Sequence, residues 1–230
     1  MNEALAIALC APNPYAPLNI DTDREDVASL KRLRRAQILA AVRRRLILDG
    51  ERITLRSLAS ECAVSHQTIS NLGGSGAELV QTAIIDYVAA LTSQAKLVVA
   101  PNRILAWLDI NWRSWEQHSE YIAASTKIYY SRDGNLIKSM QRNGSRLMGI
   151  ELRRLKSLGK MKPECDTNAT ASCIATLIPA MTYTCINGAF GLKDLRLRLA
   201  IGISGLLIAG AATAHATEIE AWLASIRETS

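Results

Sequence analysis

The chain has 230 residues, of which 49% are hydrophobic and 21% charged, with a formal net charge of +6 and a pI near 9.2. That length fits one large domain or a small domain beside a larger one, and the ordinary apolar share excludes a disordered or fibrous chain. The positive balance suits a polyanionic partner, and the abundance of Ala, Leu, Ile and Arg over aromatics, Gly and Pro sets an all-α expectation.

Residues 1–30 read as a mobile leader, because Pro12, Pro14 and Pro17 oppose regular structure. The short apolar run from Ala4 to Cys10 lacks a basic start and meets prolines at once, so it is not read as a secretory signal. A helix is expected over about 31–48, with Ile38, Val42 and Leu46 inward and Asp49-Gly50 as its stop. Thr54 caps a short helix, about 55–62, with Leu58 and Ala59 inward. Ala63-Val64-Ser65 makes a turn, and Ser65 caps a third helix, about 66–71, that buries Ile69. His66, Gln67, Thr68, Ser70 and Asn71 then point outward, and all of them hydrogen-bond, as a base-reading surface requires. Lys31, Arg32, Arg34, Arg35, Arg43, Arg44, Arg45, Arg52 and Arg56 accompany this segment, opposed only by Asp49, Glu51 and Glu61. After the break at Gly73-Gly74, Ser75 caps a connecting helix, about 76–99. Further helices are expected over about 102–118, 120–130, 135–158, 167–189, 192–214 and 217–227.

The segment from Ile38 to Leu79 resembles the DNA-binding domain of the TetR family of bacterial transcriptional regulators. Ile38-Leu39, Gly50, Thr54, Leu58-Ala59, Ala63-Val64-Ser65, Thr68-Ile69, Ser75 and Leu79 carry the likeness without a gap. It implies an all-α protein of nine to ten helices, with a helix-turn-helix domain over 31–76 and a larger effector-binding and dimerisation domain over 77–230 whose first helix, 77–99, is the connector. It also implies a cytoplasmic homodimer on a pseudo-palindromic operator of double-stranded DNA, most simply a repressor released by a small molecule. Carried over by position, Arg56, His66, Gln67 and Thr68 face bases or flanking phosphates, and Ser70 and Asn71 lie at the backbone edge. Ser65, Arg43 and Arg44 complete the expected DNA-binding set. The family usually has an aromatic at the position of Ser70, another at Gly73 and a lysine at Gly76, so phosphate contacts are missing here.

The effector expectation rests on Trp107, Trp112, Trp115, Met140, Met148, Met181 and Tyr183, with Asn111, His118 and Glu151 as polar groups on apolar stripes. A small apolar or amphipathic ligand would suit them. Plain core packing explains the same pattern, and Arg154, one turn on, is the structural partner Glu151 would otherwise take. The small-residue helices about 167–189 and 192–214 are expected to form the dimer interface, with Ile203 and Leu207 on its contact face. No catalytic motif, metal set or cofactor loop is found, so an enzyme is not expected. The five cysteines have no zinc or redox spacing and read as small apolar residues. Two rival readings stay open: a degenerate TetR-like protein acting as a protein-interaction module, and a membrane-associated helical protein resting on the apolar run Leu199 to Ala216.

Overall fold

The computed structural model describes residues 10–18, 27–131 and 135–229. Nine α-helices form among the described residues, and no strand does: α1 Val27–Asp49, α2 Leu55–Glu61, α3 His66–Gly73, α4 Gly76–Gln94, α5 Arg103–Ser131, α6 Asn135–Ser157, α7 Thr167–Ile186, α8 Leu192–Gly210 and α9 Thr213–Thr229. They fall into two compact units, one comprising residues up to Val98 with Ile110–Ile128, the other Val99–Asp109 with Tyr129–Ser230. The expected connector, about 77–99, falls largely within the first of these units. Helix α4 belongs with the N-terminal helices because it buries Leu79, Val80, Ala83, Ile84 and Tyr87 and packs along α1.

In the first unit, α1 begins four residues earlier than its expected start at Lys31. Ile38, Leu39, Val42 and Leu46 are buried, as the spacing demands. Arg43 departs from expectation. It lies one position beyond Val42 and is 0% exposed. Its guanidinium donates to the carbonyls of Pro14, Ala16 (3.1 Å) and Ala83 (3.3 Å) and pairs with Asp86 at 2.8 Å. These fixed acceptors satisfy a cation that could not otherwise be buried. Arg43 is thus withdrawn from the DNA-binding set, since none of its surface is left for a phosphate.

The same contacts correct the reading of the leader. Residues 1–9 and 19–26 lie outside the described residues, but the piece between them is pinned. Ala11 and Pro14 are buried, Ala11 N–H donates to Gln117 Oε1 at 3.0 Å, and Tyr87 donates its hydroxyl to the Pro12 carbonyl at 3.1 Å. The Tyr15 ring meets His118 and Tyr121 edge to face, with centroids 5.9 and 6.4 Å away. Prolines here remove helix propensity while leaving their carbonyls as acceptors for other elements.

The two helices expected over 102–118 and 120–130 form one element, α5, whose break falls at His118 (φ −139°, ψ 41°). At the start of α5, Asn102 Oδ1 accepts from the N–H groups of Ile104 and Leu105, both at 3.1 Å.

In the second unit α6, α7, α8 and α9 pack in succession, each on the next. Glu151 of α6 is buried, and its carboxylate accepts from Arg154 Nε and Nη2, both at 2.8 Å, and from the Arg103 N–H at 3.1 Å. Burial alone would raise this carboxyl; the hydrogen bonds from Arg154 and Arg103 outweigh it and hold it below the ordinary range. The run Leu199 to Ala216 is not one helix. Helix α8 ends at Gly210, where Lys162 N–H binds the Gly210 carbonyl and Ala212 N–H the Lys160 carbonyl. Ile203 and Leu207 are both 0% exposed within the subunit, so they belong to its own core and not to a contact face.

Helix α7 is long and apolar enough to cross a membrane by length and composition, with a mean hydropathy of 1.4. Its inner face buries Ala171, Ile174 and Ala175. Its outer face exposes Ser172 and Thr176, and Thr184, whose hydroxyl donates back to the Ala180 carbonyl at 2.8 Å.

Replacing Arg43 with Met should lower unfolding free energy by about 3 kcal/mol or more, because Asp86 and several carbonyls lose a charged donor, whereas Arg44→Ala should cost under about 1 kcal/mol. Urea denaturation followed by circular dichroism measures both. For Glu151 the folded carboxyl titrates below its unfolded value of about 4.3. Its stabilisation is therefore present above that value and lost as pH falls through the folded value. Glu151→Gln should be less stable than wild type at neutral pH, and the gap should close as pH falls below the unfolded value of about 4.3 and through the folded one, as melting temperatures followed across that range will show.

Candidate nucleic-acid interface

Helices α2 and α3 are short, so their ends decide whether they form. Thr54 Oγ1 accepts from Ser57 N–H and Ser65 Oγ from Thr68 N–H, both at 3.1 Å. Between them Ala63 takes a left-handed conformation, φ 50°. Ala63 N–H binds the Ser60 carbonyl at 3.3 Å and Val64 N–H the Ala59 carbonyl at 3.0 Å. This is the paired helix-terminating arrangement usually built on glycine, here carried by alanine. Across this turn α2 packs on α3, and Leu58, Ile69 and Leu79 are each 0% exposed.

With Ile69 inward, the other face of α3 is polar. Ser65, His66, Gln67 and Asn71 are exposed, and Thr68 and Ser70 are half-buried. Gln67 Nε2 donates to Asn71 Oδ1 at 2.8 Å, one helical turn away, and the Thr68 hydroxyl lies 2.9 Å from Ser65 Oγ. Arg56 on α2 and Arg52 just before it are exposed, as are Lys31, Arg32, Arg34 and Arg35 on α1.

Arg44 is exposed but engaged. Its Nε and Nη2 bind Glu61 Oε1 at 3.1 and 3.0 Å, and its Nη1 binds the Tyr15 carbonyl at 2.9 Å. Arg45 binds the other Glu61 oxygen at 2.7 Å and Asp49 at 3.1 Å. Burial would raise the Glu61 carboxyl, but the two arginines hold it below the ordinary range. Two cations thus face two carboxylates, so this cluster adds little field toward a phosphate. Of the other cations between Lys31 and Leu72, Arg52, Arg56 and those at the start of α1 are exposed. Sequence reasoning missed this division because Glu61 stands 17 and 16 residues from Arg44 and Arg45, on another helix, and meets them only in three dimensions.

The joint between α3 and α4 uses backbone and capping contacts where an aromatic is expected. Gly74 N–H binds the Ser70 carbonyl at 2.8 Å. Ser75 and Glu78 cap α4 reciprocally, Ser75 N–H donating to Glu78 Oε2 at 2.8 Å and Glu78 N–H to Ser75 Oγ at 3.2 Å. Hydrogen bonds from the Ser75 backbone and side chain lower the Glu78 carboxyl. Gly76 has a packing reason: a Cβ there would sit 2.9 Å from the Ile53 carbonyl oxygen. The lysine of the family pattern cannot be accommodated without moving that strand of backbone.

The expected effector residues divide between the two units. Asn111, Trp112, Trp115 and His118 lie in the first; Trp107, Met140, Met148, Glu151, Met181 and Tyr183 lie in the second. Trp112 and Met148 are buried core residues. Glu151 is occupied by Arg154 and Arg103 N–H, which is the structural alternative the sequence offered. His118 is packed by Tyr15, and burial lowers its imidazole. Trp107, Asn111, Trp115, Met140 and Met181 are half-buried, and Tyr183 is exposed with its ring 4.2 Å from that of Tyr130.

Two capped short helices across a tight turn, followed by longer helices, define an all-helical protein with an N-terminal helix-turn-helix. Comparison with solved structures makes the fold specific. The chain is similar to TylP, a TetR regulator from Streptomyces fradiae, with a TM-score of 0.57 at 18% identity over 84% of this chain and 92% of that one. It is similar to a TetR-family transcriptional regulator from Marinobacter aquaeolei, with a TM-score of 0.52 at 12% identity over 84% and 98%. It is also similar to the transcriptional repressor QsdR of R. erythropolis, from the TetR family, with a TM-score of 0.51 at 16% identity over 74% and 94%. The fold is that of the TetR-family regulators. No protein-family model matches the sequence, and no curated protein matches it.

Gly76→Lys tests the reading of that departure. It should destabilise the first unit by about 1–3 kcal/mol, as overpacking does, and should not strengthen DNA binding. Thermal melting and a duplex-binding titration at one fixed salt concentration check the two halves.

Proposed function

We propose that the chain is a DNA-binding transcriptional regulator whose reader is α3, most simply a cytoplasmic repressor released from its operator by a small molecule. One observation carries the reading: the polar row His66, Gln67, Thr68, Ser70 and Asn71 stands on a helix capped at Ser65 and seated through Ile69, within a TetR fold. Arg56 and Arg52, with Lys31, Arg32, Arg34 and Arg35, supply the phosphate-facing charge in place of Arg43. The TetR regulators to which the fold is similar support transcriptional control and a non-enzymatic role.

Dimerisation through α7 and α8 completes the reading. Cys173, Thr176 and Ala180 on α7, and Ile201, Gly205 and Ala209 on α8, are exposed and small or apolar. Four such helices, two per subunit, would cover surfaces that water does not favour, and a two-fold pair would match a pseudo-palindromic operator. The effector is proposed to be apolar or amphipathic and to contact Trp107, Met140 and Met181 of the second unit, beside the exposed Tyr183 ring.

Selection from random duplexes at two salt concentrations tests this function. The expected product is an inverted repeat with half-sites about one helical turn apart, and Arg56→Ala should reduce the salt slope by about one unit. Recovery of no preferred sequence would overturn the regulator reading. Gly205→Asp tests the interface, since a side chain at Gly205 meets nothing within 4 Å inside the subunit. Sedimentation should then show monomers; an unchanged dimer would place the interface elsewhere.

A further inference from the structure

The recognition row has a chemistry narrower than general DNA binding. Helix α3 carries no arginine or lysine, the side chains that read guanine bidentately, and no carboxylate, the group that reads cytosine. Ser65 and Thr68 are turned toward each other, hydroxyl to hydroxyl at 2.9 Å, with Ser65 Oγ also capping the helix. The long amides of Gln67 and Asn71 are exposed and joined by the 2.8 Å hydrogen bond from Gln67 Nε2 to Asn71 Oδ1.

That bond sets which way the Gln67 amide faces. One Nε2 hydrogen is spent on Asn71. The second remains a donor, and Oε1 remains an acceptor beside it. Adenine offers the complement in the major groove, the N6 amino hydrogen for Oε1 and N7 for the second Nε2 hydrogen. Guanine sets its O6 acceptor against Oε1, and thymine does the same with O4. Cytosine provides an amino hydrogen but no N7 acceptor. Only adenine satisfies both halves of the amide. Fixing a flexible glutamine before DNA arrives also reduces the ordering cost of the contact.

We propose that Gln67, oriented by Asn71, is the residue that specifies an adenine in each operator half-site. Gln67 touches the base, and Asn71 is the positioning residue. The assignment rests on the DNA-binding reading above and deepens it.

The test uses the full-length protein and the duplex recovered by random selection. Each base pair of a half-site is varied in turn for wild type, Gln67→Ala, Gln67→Glu and Asn71→Ala. Wild type should prefer adenine at one position by about tenfold or more. Gln67→Ala should lose that preference there alone. Gln67→Glu, which only accepts, should move it toward cytosine. Asn71→Ala should relax the preference with less loss of overall affinity. Replacing that adenine with 7-deazaadenine should weaken wild type and leave Gln67→Ala unaffected, a signature that a purely structural role for Gln67 would not produce. Both side chains are exposed, and matching circular dichroism melts confirm folded variants. A preferred sequence whose adenine discrimination survives Gln67→Ala overturns the assignment and leaves the regulator reading standing. Absence of any preferred sequence for wild type overturns both.

Discussion

The first unit is organised around one buried guanidinium. Arg43 enters the interior from α1 and ties together chain segments far apart in sequence: the leader through Pro14 and Ala16, and α4 through Ala83 and Asp86. A buried cation is tolerable only where acceptors are already in place, so burial, register and the leader path specify one another. Tyr87 extends the arrangement, its hydroxyl reaching the Pro12 carbonyl and lying 2.6 Å from Ser114 Oγ of α5. Burial pushes the Tyr87 hydroxyl up to about 12, so it stays protonated and able to donate throughout the physiological range.

This arrangement bears on the reader through α4. The register of α4 against α1 is held by Ala83 and Asp86 at its middle, while the Ser75-Glu78 box closes its own first turn. Helix α3 joins that start through Gly74, whose N–H binds the Ser70 carbonyl. The short helices α2 and α3 have little intrinsic stability, so their geometry is inherited from the α1–α4 frame on which they pack. Electrostatics follows the same division. Arg43 is structural, Arg44 and Arg45 are paired with Glu61, and the remaining cations of this segment, Arg52, Arg56 and those at the start of α1, are exposed.

Helical periodicity, caps and stops were legible because they are local. Thr54, Ser65 and Ser75 do cap helices, Leu58 and Ile69 are buried, and the turn falls at Ala63. The Arg154 partner of Glu151, three residues away on one helix, was legible for the same reason. The role of Arg43 was not, because its acceptors are carbonyls of the leader and α4. A hint existed in Ala36 and Ala40, buried on the same side of α1 as Arg43, whose small side chains leave room for a close neighbour. Ile203 and Leu207 were misjudged because both faces of α8 are apolar, and hydrophobicity alone does not say which side meets the subunit core.

Alternation of apolar and polar residues, capping chemistry and glycine stops determined an all-helical chain with a capped helix-turn-helix near its start, since each acts within a few residues of backbone. Tertiary structure alone decided which arginine is buried, that the proline-rich leader is bound, that Gly76 is a point of close approach to Ile53, and which face of α8 turns inward. Those outcomes depend on acceptors and excluded volume contributed by segments distant in sequence, and local pattern carries no record of them.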